Sequence, residues 1–187
     1  SRVEATVGTR FLGPELDENA KSTLQGAWRG LSDAAVGEKR RTSSNSGEVR
    51  AFSRGYEFSN QGFLESPPSP RWKELALGEG RLRVEENLPV ALAQKRGVSV
   101  AVLGLAIDSE EGISDSDLIA DRIADLILSG NSLEAIDEYV LWLGGRFVLI
   151  AGCEDQWRIH VDAMASRSCY WTVRNKQLFA ASHSALV

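Results

Sequence analysis

Between Val98 and Ile107 the chain reads VSVAVLGLAI, an almost unbroken apolar run rich in β-branched residues. Such a run predicts a central strand buried on both faces. Ahead of it, Trp72–Leu77 and Arg81–Glu85 flank Gly78 and Gly80 and predict a hairpin. Val90–Lys95 is short and rich in Ala, and reads as one or two helical turns. Behind the central run the period changes. Leu118, Ile119, Ile123, Leu126 and Ile127 fall on one face of a helix. Ser114 with Asp117 three residues on has the pattern of a capping box, and Gly130 stands where that helix closes. Ser132 then caps a second helix, in which Leu133, Ile136, Val140 and Leu143 recur at helical spacing and Glu134 sits in the first turn. With few residues between them, the two helices are expected to pack as an antiparallel pair against the sheet. Three strands close the chain: Arg146–Ala151, Trp157–Val161 and Gln177–Ala181.

Toward the N-terminus the pattern weakens. Val3, Ala5 and Val7 alternate with polar residues and suit a short strand. Leu24–Leu31 reads as a short helix. Gly37–Gly47 (GEKRRTSSNSG) is polar and small, and is expected to be an exposed, mobile loop whose Lys39, Arg40 and Arg41 are solvated. Val49–Phe58 alternates roughly and reads as a strand. Ser66–Pro70 (SPPSP) holds neither a helix nor a central strand, so it is a turn or rigid connector. The chain therefore divides into an N-terminal segment, 1–48, and a domain, 49–187. Strands, then paired helices, then strands give an α+β class rather than an alternating β-α-β pattern. No dinucleotide-binding G-x-G-x-x-G is present, and no phosphate loop.

Composition narrows the function classes. The 187 residues are 43 % hydrophobic and 25 % charged, ordinary values for a globular protein. The net charge of −5 does not suggest a nucleic-acid partner. The longest apolar run is about half of the ~20 residues a membrane-spanning helix needs. Two cysteines, Cys153 and Cys169, are too few for a disulfide scaffold and read as free thiols in a reducing cytoplasm. Each is read as a small core or turn residue, since neither has an adjacent base. His160 and His183, the only histidines, match no compact zinc spacing with Asp162 or Cys169, so no metal site is expected. Ser182 and His183 are neighbours, which on a strand would point them to opposite faces and away from a catalytic triad. The acidic stretch Asp108–Glu111, with Asp115 and Asp117 behind it, reads as a solvated loop leading into a helix start. Trp72, Trp142, Trp157 and Trp171 read as core or interface residues.

The closing segment, Leu141–Val187, carries the most specific pattern. Leu143, Gly145 and Phe147 form an L-x-G-x-F block. Asp162, Arg167, Tyr170 and Trp171 fit R-D-x-x-G-x-R-x-x-Y-Y. Ala181, Ser182 and Leu186 fit A-S-E-x-x-x-L. In this order and spacing the blocks resemble the glutamine-hydrolysing domain of asparagine-synthetase-type enzymes. The likeness extends from about Trp72 to Val187, with Gly104 and Asp115 matching two substrate-side positions of that family. It implies a layered αββα sandwich of two antiparallel sheets with flanking helices, as in N-terminal-nucleophile hydrolases.

The same resemblance implies lost catalysis. Working members begin with Cys, whose terminal amine activates it. This chain begins Ser1-Arg2-Val3-Glu4-Ala5, without the expected buried strand behind the first residue. Ser1 is the remaining candidate nucleophile and is most simply a remnant of tag removal. Leu103 stands where the family has the Asn that stabilises the oxyanion, and leucine has no donor. Val161, Ala165, Ser168 and His183 replace the family's Arg, turn Gly, Pro and Glu. The resemblance thus implies a degenerate glutaminase-like domain that shapes or regulates an ATP-dependent amide-forming synthetase domain, in cis or in trans, as similar inactive domains do in β-lactam synthetases and lasso-peptide cyclases. ATP and Mg would belong to that linked domain, and no cofactor to this chain. Two alternatives stay open: an active amidohydrolase using Ser1, or a stand-alone interaction module, homo-oligomeric or not.

Overall fold

The computed structural model describes residues 5–7 and 54–187. Ser1, the 24–31 and 37–47 segments and the boundary near residue 48 lie outside the described residues. The strands in chain order are β1 (Ala5–Val7), β2 (Tyr56–Ser59), β3 (Trp72–Leu77), β4 (Gly80–Glu85), β5 (Val90–Lys95), β6 (Val98–Asp108), β7 (Leu143–Cys153), β8 (Gln156–Val161), β9 (Tyr170–Arg174) and β10 (Gln177–Ala181). Between β6 and β7 come helix α1 (Ser116–Gly130), a 3-10 turn (Leu133–Ile136) and the single-turn helix α2 (Asp137–Val140).

The strands form two five-stranded sheets, ordered β1-β8-β7-β6-β5 and β3-β4-β2-β10-β9. All pairings are antiparallel except that of β1 with β8, which is parallel. The spine is the long β6–β7 pair, in register from Val98 opposite Cys153 to Asp108 opposite Leu143.

Period-two alternation along that spine builds two cores. Val98, Val100, Val102, Phe147, Leu149 and Ala151 face one way and pack with Ile119, Ile123 and Ile127 of α1 and with Leu133 and Ile136. Ala101, Leu103, Val148 and Ile150 face the other way. They meet Tyr56, Phe58, Leu82, Val84, Leu178 and Ala180 of the second sheet. The result is an α+β protein of two sheets packed face to face, with helices on the outer side of the first. The expected central strand is thus confirmed, buried on both faces from Val98 to Gly104, while Leu105 and Ile107 beyond it are exposed. A second helical layer is not among the described residues. The outer face of the second sheet instead carries Arg83, bonded to Glu74 (2.9 Å) and to the Glu65 carbonyl (2.8 Å), with its guanidinium 4.0 Å from the Phe63 ring centre.

Several expectations are corrected. Val90–Lys95 is a strand, not helical turns: its backbone pairs with β6, and Ala91 and Ala93 turn inward to the helix-side core. Ladder bonds beside a buried strand outweigh the helix preference of alanine. The cap of α1 is Asp115, whose carboxylate accepts from the Asp117 and Leu118 amides, rather than Ser114. The left-handed residue that closes α1 is Asn131, one past Gly130. Ser132 does cap the next element, by accepting from the Glu134 amide. That element is a 3-10 turn running into one helical turn, so no full antiparallel helix pair forms. Leu143 has passed into β7, where its side chain joins the same core a helix would have offered it. β9 was not expected, and it makes Trp171 an edge-strand residue that is 46 % exposed. Trp142 is likewise exposed, while Trp72 and Trp157 are buried.

Asp108 is also not a solvated loop residue. It is fully buried and accepts from the Tyr139 hydroxyl (2.8 Å) and the Glu110 and Glu111 amides (both 3.0 Å). It ties the end of β6 to α2. Among the described residues, no helix is long and apolar enough to cross a membrane.

Candidate functional site

A small cavity of about 210 Å³ is lined by Arg54, Tyr56, Arg146, Ser166, Arg167, Ser168, Ser182 and His183. These come from the lead-in and start of β2, from β7, from the turn after β8 and from the end of β10. Both sheets therefore contribute. Two larger hollows, about 410 and 530 Å³, lie beside the β3–β4 and β5–β6 turns and along α1, away from these residues.

The turn after β8 is built by Asp162. Its amide bonds to the Phe147 carbonyl (3.2 Å), which fixes it to β7. Its carboxylate accepts from the Met164 amide (3.2 Å), the Ser166 amide (3.0 Å) and the Ser166 hydroxyl (2.8 Å). Burial pushes the carboxyl pKa up, but these donors, with the Arg167 amide, outweigh it and hold the group below the usual carboxylate range. Asp162 is therefore ionised and spent on the loop. Ala165, inside the turn, is left-handed at φ 48°.

The turn delivers Arg167 across the bare backbone of Gly104. A Cβ on Gly104 would collide with the Arg146 carbonyl and come 2.6 Å from Arg167 Nε. Gly104 has φ +105° and Gly145 φ +107°, conformations that side chains resist, and a Cβ on Gly145 would strike the Leu105 carbonyl. Arg167 Nε donates to the Arg146 carbonyl (3.3 Å), and Arg146 Nε donates to the Ser166 carbonyl (3.1 Å). Burial lowers the Arg167 pKa first, and the charges of Arg146 and Arg54 lower it further. Cationic groups thus crowd here.

Tyr56 forms the floor. It is fully buried, and its hydroxyl donates to the Ser168 carbonyl (3.0 Å). Burial raises its pKa strongly, with Cys169 adding to the rise, so it stays a neutral phenol. The Ser182 hydroxyl oxygen accepts from the Tyr56 amide (3.0 Å) and lies 2.7 Å from His183 Nδ1. The expectation that these neighbours point apart is overturned, because β10 ends at Ala181 and the chain turns. Among the described residues no carboxylate lines the cavity.

Of the residues singled out from sequence, Arg167 and Ser182 line this cavity, while Gly104, Phe147 and Asp162 support it; Gly145 packs against Leu105 and Ala106 instead. Asp115 does neither; it caps α1. Tyr170 lies on edge strand β9, 40 % exposed, outside the cavity. Leu103 points into the core between the sheets. Ser1 lies outside the described residues. Arg54, Tyr56, Arg146, Ser166 and Ser168 were not foreseen. Arg146 sat inside the L-x-G-x-F block as its variable position, the one signal that pointed to it. His160 is remote from His183: it is buried on β8, 3.6 Å from Asp137, with its pKa pushed down to about 4 by burial. Among the described residues no group of His, Cys, Asp and Glu is arranged to hold a metal ion.

No family model matches the chain, and no curated protein matches it.

Proposed function

We propose that this chain is a glutaminase-like domain of the asparagine-synthetase-related kind that has lost its nucleophile. Its role is to shape or regulate an ATP-dependent amide-forming synthetase domain, in cis or in trans. The observation that carries the reading is convergence. Among the residues that carry the likeness, Arg167 and Ser182 line one cavity, Gly104 lies against Arg167, and the Phe147 carbonyl holds the Asp162 turn that delivers Arg167. A second point agrees. Ala165 stands where the family has its turn glycine, and it is left-handed, the conformation glycine would supply. Two face-to-face sheets with helices on one side are compatible with the N-terminal-nucleophile hydrolase sandwich.

The described chemistry supports loss of amide hydrolysis. Leu103 offers no oxyanion donor and is packed in the core. Burial raises the thiol pKa of both Cys153 and Cys169, which keeps them from the thiolate form a nucleophile needs. Tyr170 and Trp171 are exposed on edge strand β9, on opposite faces of it, and in this reading each is a contact point for a synthetase domain. ATP and Mg belong to that domain in this reading.

The test is immunoprecipitation from the native host with antibody against this chain. Captured material is assayed for carboxylate-dependent exchange of pyrophosphate into ATP, and the purified chain for ammonia release from glutamine. Exchange activity in the capture, with no ammonia from the chain alone, is expected. Ammonia release at an enzymatic rate that follows the protein, or a capture without exchange activity, would overturn the reading.

A further inference from the structure

We propose that the cavity bounded by Arg54, Arg146 and Arg167 is a binding site for a small, multiply charged oxyanion of the phosphate class. Charge, donors and size point to it, whether or not a synthetase domain works beside this chain.

Charge comes first. Three guanidinium groups line one cavity, and no Asp or Glu among the described residues lines it with them. Elsewhere in the fold, arginines drawn into the packed interior meet carboxylates. Arg83 lies against Glu57 and Glu74, and Arg158 against Glu134 and Asp137. Arg54, Arg146 and Arg167 form no ion pair with another described residue. The Asp162 carboxylate, in the same turn as Arg167, is committed to that turn. Arg54 and Arg146 are exposed and Arg167 is half-buried; their like charges repel one another, and an anion between them relieves that repulsion. A monovalent carboxylate would leave two charges uncompensated. Phosphate, at about −2, or pyrophosphate comes closer to balance.

Donor geometry agrees. Arg146 and Arg167 each spend Nε on a backbone carbonyl, which fixes the plane of the guanidinium and leaves its terminal N–H groups for a ligand. Planar forks of this kind match the spacing of phosphate oxygens. The hydroxyls of Ser166, Ser168 and Ser182 and the His183 ring complete a polar wall. Size sets the limit. About 210 Å³ falls below the ~300 Å³ at which pockets begin to hold drug-sized ligands. It admits a phosphate or pyrophosphate group but not a nucleoside.

The experiment is isothermal titration of the full 187-residue chain at low ionic strength with pyrophosphate, inorganic phosphate, acetate and ATP in turn. Pyrophosphate is expected to bind at one site per chain, and acetate at least about tenfold more weakly. ATP binding as tightly as pyrophosphate would assign the site to the phosphate tail of a nucleotide; ATP binding far more weakly would assign it to the free anion. Arg54→Gln and Arg146→Gln are each expected to weaken pyrophosphate binding about tenfold or more. Arg71→Gln, outside the cavity, should leave it unchanged. Arg54 is exposed and its side chain makes no hydrogen bond to another described residue, so its variant keeps the fold even if Arg146→Gln does not. The proposal fails if millimolar pyrophosphate gives no binding, if acetate binds as well as pyrophosphate, or if Arg54→Gln binds like the parent. The pyrophosphate-exchange assay judges the synthetase reading separately, since this titration involves no partner.

Discussion

Arg167 lies against Gly104, and there is room for it only because Gly104 has no Cβ: an added one would come 2.6 Å from Arg167 Nε. Gly104 also sits at φ +105°, so any side chain there suffers twice, from strain and from collision. Gly104→Ala should destabilise the fold by roughly 2 kcal/mol or more. Urea unfolding followed by tryptophan fluorescence measures this. A loss below about 0.5 kcal/mol would show that Arg167 moves aside freely.

Ala165 offers the opposite substitution. It holds φ 48° without the freedom of glycine. Ala165→Gly should relieve a left-handed strain of about 1 kcal/mol, partly offset by the larger backbone entropy of unfolded glycine. A small rise in thermal midpoint is expected, and a fall would mean the turn is not strained there.

Asp162 holds that turn as an ionised acceptor. Its folded pKa lies below its unfolded value, so the stability it contributes is present above the unfolded value, near 3.9, and is lost as pH falls through the folded one. Asp162→Asn should therefore cost about 1–3 kcal/mol at neutral pH and flatten the acid end of the stability profile below about pH 4. Denaturant melts from pH 7 to pH 2.5 test both parts together.

His160 acts in a different window. Burial pushes its pKa down to about 4, only partly opposed by Asp137, and its Nε2 has no hydrogen-bond partner among the described residues. At neutral pH the ring is uncharged, and its 3.6 Å approach to Asp137 is not an ion pair. The unfolded chain takes up a proton near 6.5 that the folded one refuses until about 4. Stability is thus complete above pH 6.5 and declines as pH falls toward 4, by up to about 3 kcal/mol. His160→Gln should remove that decline and leave the steeper loss below pH 4. An unchanged slope between pH 6.5 and 4 would place the titration elsewhere.

The Asp108–Tyr139 bond at 2.8 Å joins the end of β6 to α2 in a buried place. Tyr139→Phe keeps the ring and removes the donor. It should cost about 1–2 kcal/mol, since Asp108 stays buried with fewer partners. Hydrogen exchange of the Glu110 and Glu111 amides reports the loosening directly; protection equal to the parent's would argue against a shared network.

The sequence by itself determined the elements whose side chains face one environment at a regular period. Val98–Ile107 could only be a buried strand, because β-branched residues on both faces need apolar cover on both sides. The Trp72–Glu85 hairpin, the amphipathic stripe of α1 and the closing strands were legible for the same reason: burial imposes a period that residue types record. Tertiary structure decided whatever depended on a neighbour. Val90–Lys95 became a strand because β6 lay beside it with unpaired backbone, which its alanines do not announce. Leu143 fitted the helical spacing but served the same core from β7. Ser182 and His183 met because β10 stops between Ala181 and Ser182.

The site divides in the same way. Its supports Gly104 and Asp162 were marked by the resemblance alone, and the fold shows the backbone and turn demands they meet. Its cluster of charges was not. Arg167 was marked only by its block, and Arg54 and Arg146 follow no period; an arginine reads as a solvated residue until the fold sets others beside it, with no carboxylate among the described lining residues.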